Sequence, residues 1–184
     1  MKKILLIIAL WLFAAPVFAA DEFSVTSKTF QHGKTLPKKM EYNGFGCNGG
    51  NISPQIGWKN APEGTKSFAI TIHDPDAPTT SGWWHWLVYN IPAGEDSIEE
   101  GASQTGKNNL PQGALEAFTD YGTTGFGGAC PPAGHIEHRY NLTVYALRVE
   151  KLELDPKTTT GAKLTYMLNA NSLAKTEIQG LYKR

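Results

Sequence analysis

The sequence predicts a mainly β domain: an antiparallel sandwich of two packed sheets with one or two short peripheral helices near the C-terminus. Three observations lead there. Apolar residues recur with period two in several short runs, clusters of Gly, Pro, Asn or Asp end those runs, and helical spacing enters only near residue 160. The strand runs are Phe23 to Ser27, Gln55 to Trp58, Ser67 to His73, Trp83 to Asn90, Gly113 to Phe118 and His138 to Val149. In the third run Phe68, Ile70 and Ile72 alternate with polar Thr71 and His73. In the fourth, strict alternation would set Trp84, Trp86 and Val88 on one face and Trp83, His85 and Leu87 on the other. In the last, His138, Tyr140, Leu142, Val144 and Ala146 share a face. Thr160 to Asn169 carries Ala162, Leu164, Met167 and Leu168 at helical spacing; Asn171 to Lys175 suits a second short helix, and Glu177 to Tyr182 a returning strand.

The first 19 residues have the build of a secretory signal peptide. Lys2 and Lys3 precede an apolar run from Ile4 to Ala15, and Val17 and Ala19 suit the small-residue positions before a cleavage point. Cleavage would start the mature chain at Ala20, with Asp21 as the near alternative, leaving residues 20 to 184 as one domain. The expected location is the periplasm or the extracellular medium. A retained anchor is the competing reading, against which the apolar run falls short of the ~20 residues of a spanning helix. Without Lys2 and Lys3 the chain holds 15 basic and 17 acidic residues, and it contains no basic run. That composition argues against nucleic-acid binding. Two cysteines in an exported chain point to one disulfide, Cys47 to Cys130, since both lie in Gly-rich loops, GFGCNGG and FGGACPP. Two buried free thiols are the alternative.

The segment HDPDAPTTSGWWHWLVYNIP, residues 73 to 92, sets carboxylates and a histidine among prolines and aromatics. Pairing of its two strands would bring Asp74 near His85. A second polar group, His138 and Tyr140, follows the Gly-rich loop with Pro131 and Pro132. DPDAP, the WWHWLVYNIP strand and the double-proline loop running into HRY resemble the phosphatidylethanolamine-binding protein family, which includes the Raf kinase inhibitor proteins. The likeness spans nearly the whole mature chain and is greatest to the bacterial branch, exported members included. It implies the same sandwich and a small pocket for anions and phosphorylated head groups. Carried over by motif, the pocket residues are Asp74, Asp76, His85, His138 and Tyr140, with Pro75 and Trp83 as walls and Gly128 to Pro132, Pro131 among them, as the rim.

The chemistry fits: imidazoles donate to phosphate oxygens, more strongly when protonated, and a carboxylate beside a histidine favours its charged form. Each residue also has a structural role open to it. Asp76 suits a turn before Pro78, Asp74 a loop hydrogen bond, and His85, His138 and Tyr140 a satisfied core. Trp58, Trp84 and Trp86 suit core and disulfide packing. His73, Asp74, Asp76 and His85 are metal-compatible types, but no dedicated metal-ligand spacing supports a metal or other cofactor. Where many eukaryotic members of the family carry an acidic residue and an arginine, this chain has Gly82 and Cys130, which makes the pocket mouth less charged and puts a preference for the lipid head group in doubt. The expected function is therefore that of an exported, non-enzymatic binding protein for a small anion or phosphorylated ligand. A regulatory protein that engages a protein partner, in the manner of protease or kinase inhibitors, is the first alternative. Hydrolysis is the second; it would need a nucleophile held by a histidine, and Ser81 lacks an elbow pattern.

Overall fold

The computed structural model describes residues 21–104 and 107–184; the expected signal peptide lies outside them. In chain order the strands are β1 (Ser24–Thr26), β2 (Lys34–Thr35), β3 (Asn43–Gly44), β4 (Cys47–Asn48), β5 (Ile56–Lys59), β6 (Ser67–Asp74), β7 (Trp83–Pro92), β8 (Ser97–Ile98), β9 (Ser103–Gln104), β10 (Lys107–Asn108), β11 (Leu115–Glu116), β12 (His138–Leu147) and β13 (Ser172–Tyr182). One helix, α1 (Gly161–Asn171), precedes the last strand. The principal sheet has six strands in the order β11-β7-β6-β12-β13-β2, antiparallel except for the β13–β2 pair. A smaller sheet, β1-β5-β8, covers one of its faces.

Apolar alternation explains the layering. Phe68, Ile70 and Ile72 of β6, with Leu142, Val144 and Ala146 of β12, meet Val25, Ile56, Trp58 and Ile98 of the small sheet in the main core. The opposite face carries Ala69, Leu87, Tyr89, Tyr145 and Leu147, which α1 covers with Leu164 and Leu168, one helical turn apart. Burying a Leu or Ile side chain contributes roughly 1.5–3 kcal/mol, so these two clusters dominate the stabilisation. Thr160 caps the helix, accepting from the Lys163 amide at 3.3 Å. A Cβ on Gly161 would come 2.3 Å from Trp84 Cδ1, so a glycine lets the helix start close against that indole.

Two expectations are corrected. The second short helix, Asn171 to Lys175, does not form: β13 begins at Ser172 and runs to Tyr182, pairing along β12. Period-two burial and a long ladder of backbone hydrogen bonds override weak helical spacing over five residues. The strict alternation of β7 also fails. Trp84 opposes His73 while Trp86 opposes Ile72, so His85 is the extra residue of a bulge. Trp84 thereby packs on the helix side, and Trp86 and Val88 enter the main core.

Trp86 is fully buried, and its indole N–H donates to Glu116 Oε1 at 2.8 Å. Ser103 donates to the same oxygen, so the buried carboxylate ties β7, β9 and β11 together. Cys47 and Cys130 are joined as a disulfide, linking β4 to the loop before β12. Among the described residues no helix is long and apolar enough to cross a membrane.

Candidate functional site

In the order β7-β6-β12, the end of β6 lies beside the starts of β7 and β12. That topology gathers Asp74, Trp83, His85, His138 and Tyr140 at one end of the principal sheet. They line a pocket of about 190 Å3 whose other walls include Phe45, Thr79, Tyr121, Cys130, Pro131 and Pro132. The bulge in β7 matters here, because it lets His85 turn to the pocket while the next residue, Trp86, still fills the core.

Asp74 is buried at the end of β6. One carboxylate oxygen accepts from His138 Nδ1 at 2.7 Å and the other from the Asp76 amide at 2.9 Å. Nε2 of His138 is 2.7 Å from Nδ1 of His135, one ring donating and the other accepting. A line of Asp74, His138 and His135 therefore runs from the pocket floor toward the surface.

His85 is held differently. Its Nδ1 lies 2.8 Å from the carbonyl oxygen of Gly127 and 3.1 Å from that of Gly128; because carbonyls only accept, Nδ1 carries the hydrogen. The Gly127 amide returns a bond to the His85 carbonyl at 2.9 Å. Burial pushes the imidazole pKa down to about 4, against the smaller opposing pull of the Gly127 carbonyl and the Asp74 charge. The expectation of a protonated His85 donor is thus corrected: near neutral pH the ring is uncharged, with its lone pair on Nε2.

Tyr140 presents a buried hydroxyl beside the Asp74 carboxylate, with no partner within 3.5 Å. Burial first, and the Asp74 charge second, raise its pKa far above the usual phenol value, so it is a neutral hydroxyl. Trp83 Nε1 and His85 Nε2 are also buried without partners. Of the five such side-chain atoms among the described residues, these three belong to one pocket. That concentration makes this pocket the candidate functional site.

Asp76, Pro75 and Gly128, expected at the site, do not line the pocket. Asp76 instead accepts from the Arg139 backbone amide and both ends of its guanidinium at 2.7–2.8 Å, which pins the DPD turn to β12. Arg139 holds the Asp76 carboxyl down at about 2. Gly128 serves close backbone approach: a Cβ there would come 2.1 Å from the Met40 carbonyl oxygen, and its amide donates to Asn51 Oδ1 at 2.7 Å. His73 faces the other side of the sheet and stacks on Trp84 with ring centres 4.0 Å apart. Gly82 has φ +71°, and a Cβ there would come 2.5 Å from the Asp74 carbonyl oxygen, so the position requires glycine.

Sequence reasoning missed Tyr121, Phe45 and His135. Tyr121 stacks on Tyr42 with ring centres 4.1 Å apart, meets Trp83 edge-on, and donates to the Gly128 carbonyl at 2.8 Å. Phe45 is 70% exposed at the rim, packed on Tyr42 and Tyr121. Their only signal was an aromatic residue in a Gly-rich loop; for His135 it was a histidine three before His138.

The phosphatidylethanolamine-binding protein family pattern matches residues 26–183. This chain belongs to that family. It is 48% identical to the Escherichia coli protein YbcL over 164 residues, covering 89% of each chain, and 42% identical to E. coli YbhB, covering 85% of this chain and 97% of that one. The crystal structure of YbcL, described as a new member of the mammalian family, superposes with a TM-score of 0.86 over 89% of this chain and 99% of that one. A homologue from Chlamydia trachomatis, 29% identical, gives 0.73 over 88% of this chain and 97% of that one. The mainly β expectation and the family resemblance are both borne out.

Proposed function

We propose that the protein is an exported, non-enzymatic binding protein whose pocket takes the oxyanion end of a small phosphorylated or carboxylated ligand. The observation that carries this is that Trp83 and Tyr140, whose Nε1 and hydroxyl are buried without partners, line the same pocket as His138, among apolar and aromatic walls. A ligand oxygen reaching them would satisfy polar atoms that are otherwise costly to bury, by roughly 1–3 kcal/mol each. The non-enzymatic reading is supported by the commitments of the nearby nucleophile types. Cys130 is bonded to Cys47, and the Thr79 hydroxyl donates to the Gly82 carbonyl at 2.5 Å. Export is supported by the three-part leader in the sequence and by a disulfide between the only two cysteines.

A protein partner is the second reading, favoured by Phe45 and by Ile136, which is 61% exposed three residues beyond Ala133 in the loop that bears the rim prolines. Calorimetric titration with inorganic phosphate tests the first reading. Tyr140→Phe should weaken phosphate binding roughly 5- to 10-fold by removing one donor. Affinity unchanged in Tyr140→Phe and in His138→Ala would refute the pocket assignment.

A further inference from the structure

The β3–β4 hairpin at the pocket mouth is built against its own turn chemistry. Gly44 pairs with Cys47, which leaves Phe45 and Gly46 as the two central residues, at φ +52° and +80°. A turn with positive φ at both centres prefers Asn-Gly, because a bulky side chain crowds its own backbone in that conformation. Phe45 is such a side chain, and it is 70% exposed. Packing does not account for it. Tyr42 and Tyr121 already stack on each other with ring centres 4.1 Å apart, and the Phe45 ring stands 5.6 Å from each. A strained, exposed aromatic that lines a pocket points to a contact outside the fold.

The hairpin is also held by a second group. Arg184 donates from Nε to the Pro131 carbonyl at 2.6 Å, from Nη1 to the Gly46 carbonyl at 2.9 Å and from Nη2 to the Phe45 carbonyl at 3.4 Å. Its own carbonyl accepts from the Gly134 amide at 3.0 Å. One planar guanidinium thus ties the hairpin to the double-proline loop, the same two segments that the Cys47–Cys130 disulfide joins. Resting on the oxyanion reading above, we propose that Phe45 is a specificity-determining residue that stacks on a flat aromatic body carried by the ligand, and that Arg184 is the positioning residue that holds it there. The ligand class is an aromatic ring bearing an oxyanion, not a bare ion. Pocket size agrees: a cavity of about 150 Å3 holds a benzene, so one of about 190 Å3 takes an oxyanion and only part of a ring. The rest of the ring lies at the mouth, where Phe45 and Tyr121 offer aromatic surface. Among the described residues no Lys or Arg lines the pocket, so the body has to supply binding that charge does not.

The test is calorimetric titration of the intact chain with inorganic phosphate, butyl phosphate and phenyl phosphate at one pH. Phenyl phosphate should bind on the order of 10-fold more tightly than either of the others. In Phe45→Asn, which suits the turn but has no ring, that ratio should fall to near 1, and the thermal midpoint should be no lower than in the unmodified protein. In Arg184→Ala the ratio should fall to about 3, the ring being present but no longer held. Combining the two changes should give the ratio of Phe45→Asn alone, because Arg184 acts through Phe45. A ratio unchanged in Phe45→Asn, a lower midpoint in that variant, or butyl phosphate binding as tightly as phenyl phosphate would overturn the assignment of Phe45. A further fall in the double variant would overturn the role of Arg184. Failure of all three ligands to bind the unmodified protein would overturn the oxyanion reading, and this proposal with it.

Discussion

Burial of an uncharged His85 makes the fold sensitive to acid in a defined window. The folded pKa of about 4 lies below the ~6.5 of an exposed imidazole, so between these values the unfolded chain binds the proton that the folded chain refuses. The sign follows: the contribution is whole above about pH 6.5 and is lost as pH falls toward 4. At about pH 4.5 the linkage amounts to roughly 2.5 kcal/mol, a sizeable share of the 5–15 kcal/mol typical of a domain. Urea unfolding near pH 7 and near pH 4.5 would measure it, with His85→Asn as the reference, because Asn keeps a donor for the Gly127 carbonyl and does not titrate. The unmodified protein should lose roughly 2–3 kcal/mol more than the variant over that range. Equal losses, or an NMR titration placing the His85 ring near or above ~6.5, would refute the neutral-imidazole account.

Replacing both Cys47 and Cys130 by Ala opens a loop spanning a sequence separation of 83. The chain-entropy account expects a loss of about 4–5 kcal/mol, read as a lower urea midpoint; no change in midpoint would count against it. Gly82→Ala should cost at least ~2 kcal/mol, because φ is positive there and the new Cβ meets the Asp74 carbonyl. Thermal unfolding checks this, and retention of the native midpoint would show that the turn can re-form. Asp76→Asn removes a carboxylate held at about 2 by Arg139, a contribution present above about pH 4 and lost as pH falls through about 2. After discounting for the half-exposed arginine, the loss should be about 1 kcal/mol at neutral pH and vanish near pH 2, as acid titrations of the two proteins would reveal. Intact mass of protein recovered from a periplasmic extract should show a chain lacking about 19 N-terminal residues, whereas a species retaining Met1 would refute export with cleavage.

Local chemistry determined much of this molecule in advance. Alternation of Phe68, Ile70 and Ile72, and of Leu142, Val144 and Ala146, is a direct consequence of the pleat, so strands and core faces were readable from residue order. Strand pairing made Asp74 and His85 readable as neighbours, whereas their grouping with Trp83, His138 and Tyr140 was legible only through the family's motifs. Tertiary structure alone decided what depends on contacts distant in sequence. Asp74 and Asp76 look equivalent two residues apart, yet β12 supplies a histidine to one and an arginine to the other, and only the first faces the pocket. His85 escapes the alternation of its neighbours because a bulge inserts it, and a bulge is a property of two paired strands. Its charge was equally hidden, since burial and a glycine carbonyl 42 residues onward determine which nitrogen holds the hydrogen. Residue order carries the period of a strand, whereas register, burial and field arise only when segments far apart in the chain are brought into contact.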